Sequence, residues 1–283
     1  AYGPREIVDA FAACLDAGLD FFDTAESYGW GKSEKILGAL VRKSRRPLVV
    51  TTKYAPLAGR GGPSAIPKAL DSSLKRLGLS QLDLYQLHWP DNEEVPIAAT
   101  MEVLAETVHA GKARAVGVSN FSVAEMREAH AVLARHGVPL ATNQVHYSLL
   151  YRAPEADGVA DACRELGVTL LAYSPLEQGL LTGKYGVGAL PTDGRAESDG
   201  FSRDNVAAAQ PVVAQLRAIA AEHTVEPATV AIAWLLSKPG VVPLVGAKSG
   251  EQASRNARAL ALELSSTELD ELDHLSEPWR RGS

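Results

Sequence analysis

The chain has 283 residues, 46% of them hydrophobic and 22% charged, with 28 Lys and Arg against 34 Asp and Glu and a net charge of −6. That composition excludes a disordered or collagen-like chain, and the mildly acidic balance lacks the basic footprint of a nucleic-acid binder. No run of about 18 apolar residues is present, so no membrane span is expected, and the absence of a secretory pattern at the N-terminus makes a cytoplasmic location the expectation. Two cysteines, Cys14 and Cys163, lie in amphipathic stretches and read as buried structural thiols rather than a disulfide framework.

Hydrophobic periodicity predicts a helix over 5–17 that stops at Gly18, then a short strand over 19–24. Helix 32–43 leads to a β-branched strand at 47–53, and helix 64–77 ends at Gly78 before strand 82–88. Helix 96–110 and strand 113–119 come next, and Ser122 and Glu125 spell a capping box that opens helix 123–136. Strand 140–145, helix 155–166 and strand 168–173 continue the alternation up to a long Gly-rich irregular stretch, 176–203. Helices 205–222 and 227–238, strand 241–246 and helices 250–260 and 266–276 close the chain. No linker interrupts the pattern, so a single domain over 1–283 is expected. Strand–helix alternation with short apolar strands predicts a parallel sheet with helices outside. Seven strands are one short of a (β/α)8 TIM barrel, and because the chain opens in a helix, the missing first strand would precede residue 1. An open doubly wound sheet is the competing architecture, and it lacks support because no strand is followed by a GxGxxG turn.

Polar residues gather at the strand C-termini, where barrel active sites are built. Asp23, Lys53 and His88 each end a strand, and Tyr28 lies in the loop after the first. Each alone has a bland reading: a turn Asp, a snorkelling Lys, a satisfied core His, a surface Tyr. Together they describe an acid site. A phenol with a pKa of about 10 is a poor proton donor; a nearby ammonium favours its phenolate and so makes it a better one. Asp23 would hold that ammonium, and a neutral His88 would donate to a carbonyl oxygen. No His and Cys spacing supports a metal site.

These residues resemble the aldo-keto reductase superfamily. The matching stretches are Asp23-Thr-Ala-Glu-Ser-Tyr28-Gly29, Thr52-Lys53, Asp83-Leu-Tyr-Gln-Leu-His88-Trp89-Pro90, Gly117-Val-Ser119-Asn120-Phe121, Asn143-Gln144-Val145, Ala172-Tyr173-Ser174-Pro175-Leu176 and Gly246-Ala247-Lys248-Ser249. The resemblance implies a (β/α)8 barrel lacking here the family's first barrel strand and N-terminal hairpin. It implies NADPH as cofactor and reduction of a small carbonyl substrate, an aldehyde or ketone, by hydride transfer. The catalytic four fall on Asp23, Tyr28, Lys53 and His88, with Tyr28 as proton donor. Relatives that reduce steroid double bonds carry Glu at the His position, so His88 favours carbonyl reduction.

For the cofactor, the resemblance places Ser119, Asn120 and Gln144 on the carboxamide and Tyr173 against the nicotinamide ring. Ser174, Pro175, Leu176, Gln178, Gly179 and Leu180 would open the loop over the pyrophosphate. Gly246, Ala247, Lys248 and Ser249 lead into the last barrel helix, with Gln252 and Asn256 one and two turns in. A helix N-terminus suits a phosphate, and Lys248 adds a charge; Ser249 and Gln252 also spell a capping box. Trp30, Tyr54 and Trp89 are the aromatic residues placed to line a substrate pocket. The alternative function is a cofactor-bound regulatory subunit of the kind resembling channel beta subunits.

Overall fold

The computed structural model describes residues 4–57, 62–90 and 95–281. All seven expected strands form: β1 (Phe21–Asp23), β2 (Val49–Tyr54), β3 (Leu82–Leu87), β4 (Ala113–Ser119), β5 (Leu140–His146), β6 (Thr169–Tyr173) and β7 (Val241–Pro243). Their order in the sheet is consecutive, β1 through β7, and the pairs from β1 to β5 are parallel. A doubly wound sheet reverses its strand order at a switch point; this one does not.

The intervening helices are α1 (Pro4–Asp16), α2 (Lys32–Val41), α3 (Ile66–Leu77), α4 (Ile97–His109), α5 (Val123–Arg135), α6 (Ala153–Ala156), α7 (Val159–Leu166), α8 (Arg203–Glu222), α9 (Pro227–Leu236), α10 (Gly250–Ala257) and α11 (Ser266–Leu275). The expected helix 155–166 is in fact two, because Gly158 at φ 77° interrupts the helical backbone between α6 and α7. The stretch 176–203 holds only short 3₁₀ turns. The Ser122–Glu125 capping box is complete in both directions. Among the described residues no helix is long and apolar enough to cross a membrane.

The chain resolves into two compact units, 19–145 with 161–170, and 1–18 with 146–160 and 171–283. The boundary between Leu170 and Leu171 falls inside β6 rather than in a linker. In the first unit the interior is built on Leu70, Leu77, Leu82, Met101, Leu104, Val116 and Met126, all essentially without exposure. In the second, Leu181, Val206, Val212, Leu216, Val230 and Trp234 do the same, and buried Arg152 holds Glu155 and the Ser276 hydroxyl beneath the Trp234 ring. Cys163 is buried and its thiol is pushed up to about 12 by desolvation, as a structural thiol should be. Cys14 departs from the expectation, since it is only half-buried on α1.

Candidate active site

Strand β2 explains why chemistry collects here. Parallel strands are buried on both faces, and β2 runs Val-Val-Thr-Thr-Lys-Tyr with everything after Val49 buried. Three polar side chains in that run must therefore find partners or incur the cost of desolvation. Thr52 donates to Glu34 Oε1 at 2.7 Å, and Thr51 accepts from Gln86 at 3.1 Å. Lys53, wholly without exposure, donates to Asp23 Oδ2 and, at 2.9 Å, to the Thr24 carbonyl. Burial pushes the Asp23 carboxyl up and the Lys53 ammonium down, and their ion pair opposes both shifts.

The loop after β1 brings Tyr28 over that pair. Lys53 Nζ stands 5.2 Å from the centroid of the Tyr28 ring, and the ring remains 43% exposed, so a reactant can reach it. Carboxylates brace the loop from below. Glu26 accepts from the Ala55 N–H at 2.8 Å, tying the loop to the end of β2, and Arg76 reaches both Glu34 and Glu26. Gly29, Trp30 and Gly31 all take left-handed φ, at 56°, 55° and 81°. A Cβ on Gly31 would meet Arg76 Cδ at 2.6 Å, so the close approach of the guanidinium requires glycine there.

His88 follows β3 with its ring 5.6 Å from that of Tyr28, in an edge arrangement. Burial and the Lys53 charge lower its pKa to about 4. The imidazole is therefore neutral at physiological pH, with one N–H to donate. Because this pKa lies below the ordinary imidazole value of 6.5, the proton is taken up only as pH falls toward 4. Following the His88 ring by ¹H–¹⁵N NMR is expected to give a midpoint near pH 4; a midpoint near 6.5 would contradict this environment.

Three further polar residues lie at or near the C-terminal ends of β4 and β5 in the same unit. Ser119 donates to the Gln144 carbonyl at 2.7 Å. Asn120, in a left-handed turn at φ 62°, donates to the His88 carbonyl at 3.1 Å. Gln144 gives its amide N–H to Asp23 at 3.3 Å, which leaves its Oε1 as the acceptor it can offer. Asp23, Tyr28, Lys53, His88, Ser119, Asn120 and Gln144 are thus gathered at one end of the β1–β5 ladder.

The second unit holds the remaining candidate residues. Tyr173 ends β6 half-buried, with its ring stacked at 5.4 Å on His146, and desolvation keeps its phenol protonated by raising its pKa. The segment that follows is strained: Ser174, Glu177 and Gln178 have φ of 54°, 47° and 51°. Such backbone persists only where surroundings over-determine it. Here Glu177 takes bonds of 2.6 Å from both His146 and Ser148, and Leu180 and Leu181 are buried. Arg195 donates to the Gln178 carbonyl at 2.7 Å. Ser249 caps α10 by accepting from the Gln252 N–H. The Gln252 side chain turns to the Lys248 N–H at 2.9 Å, so the capping box is only half formed. Asn256 is buried within reach of the Gly246 carbonyl.

The sequence profile of the Aldo/keto reductase family matches residues 2–277. The chain belongs to the aldo-keto reductase family. An oxidoreductase of Mycobacterium bovis is 42% identical over 93% of this chain and 79% of its own length. The NADH-specific methylglyoxal reductase of Escherichia coli is 31% identical, over 97% of this chain and 88% of its own. The crystal structure of an aldo-keto reductase from Klebsiella pneumoniae in complex with NADPH superposes with a TM-score of 0.78 at 31% identity, covering 99% of this chain and 88% of that one. The α/β fold with seven consecutive parallel strands is the family's barrel architecture.

In this aldo-keto reductase the three aromatic residues expected to line a substrate pocket differ in what they offer. Trp30 is 86% exposed beside Tyr28, and Trp89 packs against the His88 ring at 4.6 Å. Tyr54 has no exposed surface and donates its hydroxyl to the Gly62 carbonyl, so it packs the loop after β2 rather than facing a substrate. Sequence reasoning missed the braces. Glu26 and Glu34 sit inside motifs already singled out or beside them, and Arg76 lies in the last turn of α3, where basic residues are ordinary dipole partners. Nothing in the local pattern distinguishes an Arg that reaches under the Tyr28 loop from one that faces water.

Proposed function

We propose that this chain is an NADPH-dependent reductase of aldehydes or ketones in which Tyr28 is the proton donor. The observation that carries the reading is the fully buried Lys53, ion-paired to Asp23 and placed beneath the Tyr28 ring, with a neutral His88 alongside. When bound, the cofactor supplies hydride to the carbonyl carbon. As the C=O π bond breaks, the oxygen gains negative charge and takes the Tyr28 hydroxyl proton. The Lys53 cation stabilises the phenolate left behind, and Asp23 keeps that cation in place. The His88 N–H orients the carbonyl oxygen toward Tyr28. General-acid help of this kind contributes roughly 10²–10⁴-fold.

Each unit carries residues suited to a part of the cofactor. Gln144 retains an acceptor for a carboxamide N–H once its own amide is committed to Asp23, with Ser119 and Asn120 beside it. Tyr173 offers a flat ring already stacked from behind by His146. Ser174, Pro175, Leu176, Gln178, Gly179 and Leu180 supply main chain for the pyrophosphate. Gly246, Ala247, Lys248, Ser249, Gln252 and Asn256 surround the start of α10, where main-chain N–H groups and the helix dipole favour a phosphate. Trp30 and Trp89 line the approach of the carbonyl compound. Nothing in the fold or the site favours the channel-regulatory alternative.

The reading is tested by following NADPH absorbance over a panel of aldehydes and ketones. Loss of absorbance dependent on the carbonyl compound is expected; no turnover with any of them would overturn it. In this reading Lys248 meets the 2′-phosphate. Lys248→Ala is therefore expected to weaken NADPH binding about tenfold, close to 1.4 kcal/mol, and to leave NADH binding nearly unchanged. Equal weakening of both cofactors in a titration would remove Lys248 from the phosphate site.

A further inference from the structure

Behind the Lys53–Asp23 pair lies a second buried polar layer, built on Gln86 and Thr142. In the sheet register Lys53 is aligned with Gln86 of β3, and Gln86 with Gly117 of β4. Gln86 has no exposed surface. Its amide N–H groups point to Asp23 Oδ1 at 3.4 Å and to Thr51 Oγ1 at 3.1 Å. Its carbonyl oxygen accepts from the Thr142 hydroxyl of β5 at 3.1 Å. Two amides, those of Gln86 and Gln144, thus converge on Asp23 Oδ1, while Oδ2 faces Lys53.

A glutamine amide can turn over about its last bond and exchange donor for acceptor. Turned over here, it would set its oxygen against the Asp23 carboxylate, two acceptors in contact where Gln86 has no exposed surface. Thr142 prevents this, because its hydroxyl proton needs the Gln86 oxygen on the far side. Gly117 makes the contact possible. The β4–β5 register slips between Val116 and Val118, and a Cβ on Gly117 would overlap Thr142 Oγ1. The missing side chain is the passage through which β5 reaches Gln86.

We propose that Gln86, locked by Thr142 through the gap at Gly117, is a positioning residue for carbonyl reduction: it holds Asp23 as the ionised, correctly turned partner of Lys53. The proposal rests on the tetrad reading above. Hydrogen bonds to a carboxylate favour its charged form. Without them Asp23 takes up a proton more readily, and Lys53 loses the partner that keeps it charged. The titratable groups facing Lys53 are Asp23 from β1, Tyr28 from the loop after it and His88 after β3. Weakening Asp23 as an anion therefore lets Lys53 discharge at lower pH.

The test compares Gln86→Met, Thr142→Val and Thr142→Ser in the full chain, with Tyr28→Phe as reference. Each is measured for kcat against pH with the best carbonyl substrate, and for NADPH Kd by fluorescence. Thr142→Val keeps the shape and removes only the hydroxyl, whereas Thr142→Ser keeps the hydroxyl. Gln86→Met and Thr142→Val are expected to lower kcat about tenfold, the scale of a displaced catalytic group. The basic limb of kcat should move down by about half a pH unit or more, NADPH Kd should stay within a few-fold, and Thr142→Ser should behave as the parent. An unmoved limb, or Thr142→Ser as impaired as Thr142→Val, would reduce the layer to packing and overturn the proposal. A Tyr28→Phe variant that keeps its activity would instead overturn the tetrad reading, so the two failures are distinguishable.

Discussion

Tyr28→Phe is expected to lower kcat by roughly 10²–10⁴-fold while leaving the fold and the cofactor affinity nearly intact. The substitution removes one hydroxyl from a ring that is 43% exposed, so little packing is lost. What is lost is the proton that must reach the carbonyl oxygen as hydride arrives at carbon. Because the ring itself remains, its edge contact with His88 persists and substrate can still bind. A single-turnover measurement isolates the chemical step. A variant retaining more than about a third of parental kcat with chemistry rate-limiting would show that the proton comes from elsewhere.

Lys53→Met is expected to affect activity and stability together. It removes the cation 5.2 Å from the Tyr28 ring that the proposed mechanism uses to stabilise the phenolate, so kcat should fall about as far as in Tyr28→Phe. It also strands Asp23, whose side chain is only 13% exposed, without its cation. Removing one member of a buried pair typically costs about 3–5 kcal/mol, because the other is left uncompensated. The double variant Lys53→Met with Asp23→Asn relieves that cost, since the amide carries no charge. Urea denaturation should show much of the stability regained in the double variant, with kcat still as low as in the single one. Recovery of activity along with stability would mean that Lys53 serves the fold and not the chemistry.

The fold was largely legible because its two signals, periodicity and helix ends, are local. β4 occupies Ala113–Ser119 as expected, and Ser122 and Glu125 cap α5 as spelled. What escaped was long-range. The periodicity over 155–166 predicts one helix, yet Gly158 at φ 77° separates α6 from α7. Tyr54 reads as a residue of a loop after a strand, but β2 extends through it, and with both faces of β2 buried Tyr54 turns inward to Gly62. The four candidates for catalysis stood out in the sequence because Asp23, Lys53 and His88 are chemically capable residues at otherwise apolar strand ends and Tyr28 lies in the loop after the first of them. Gln86 and Thr142 were not, because a polar residue inside a strand gives no local sign of the partner two strands away. Glu177 was equally silent: only the left-handed backbone around it, and the His146 and Ser148 bonds that hold it there, mark it as structurally committed.

The fate of the hydride is the most direct test of the proposed reaction. NADPH deuterated at both C4 positions, incubated with the protein and its best carbonyl substrate, should yield an alcohol bearing one deuterium on the carbinol carbon, read by mass spectrometry and ¹H NMR. The proton on the alcohol oxygen exchanges with water and carries no label. One deuterium per product, formed at a rate that collapses in Tyr28→Phe, is the predicted result. An alcohol formed without deuterium at that carbon would contradict hydride transfer from the nicotinamide, and with it the function proposed for this site.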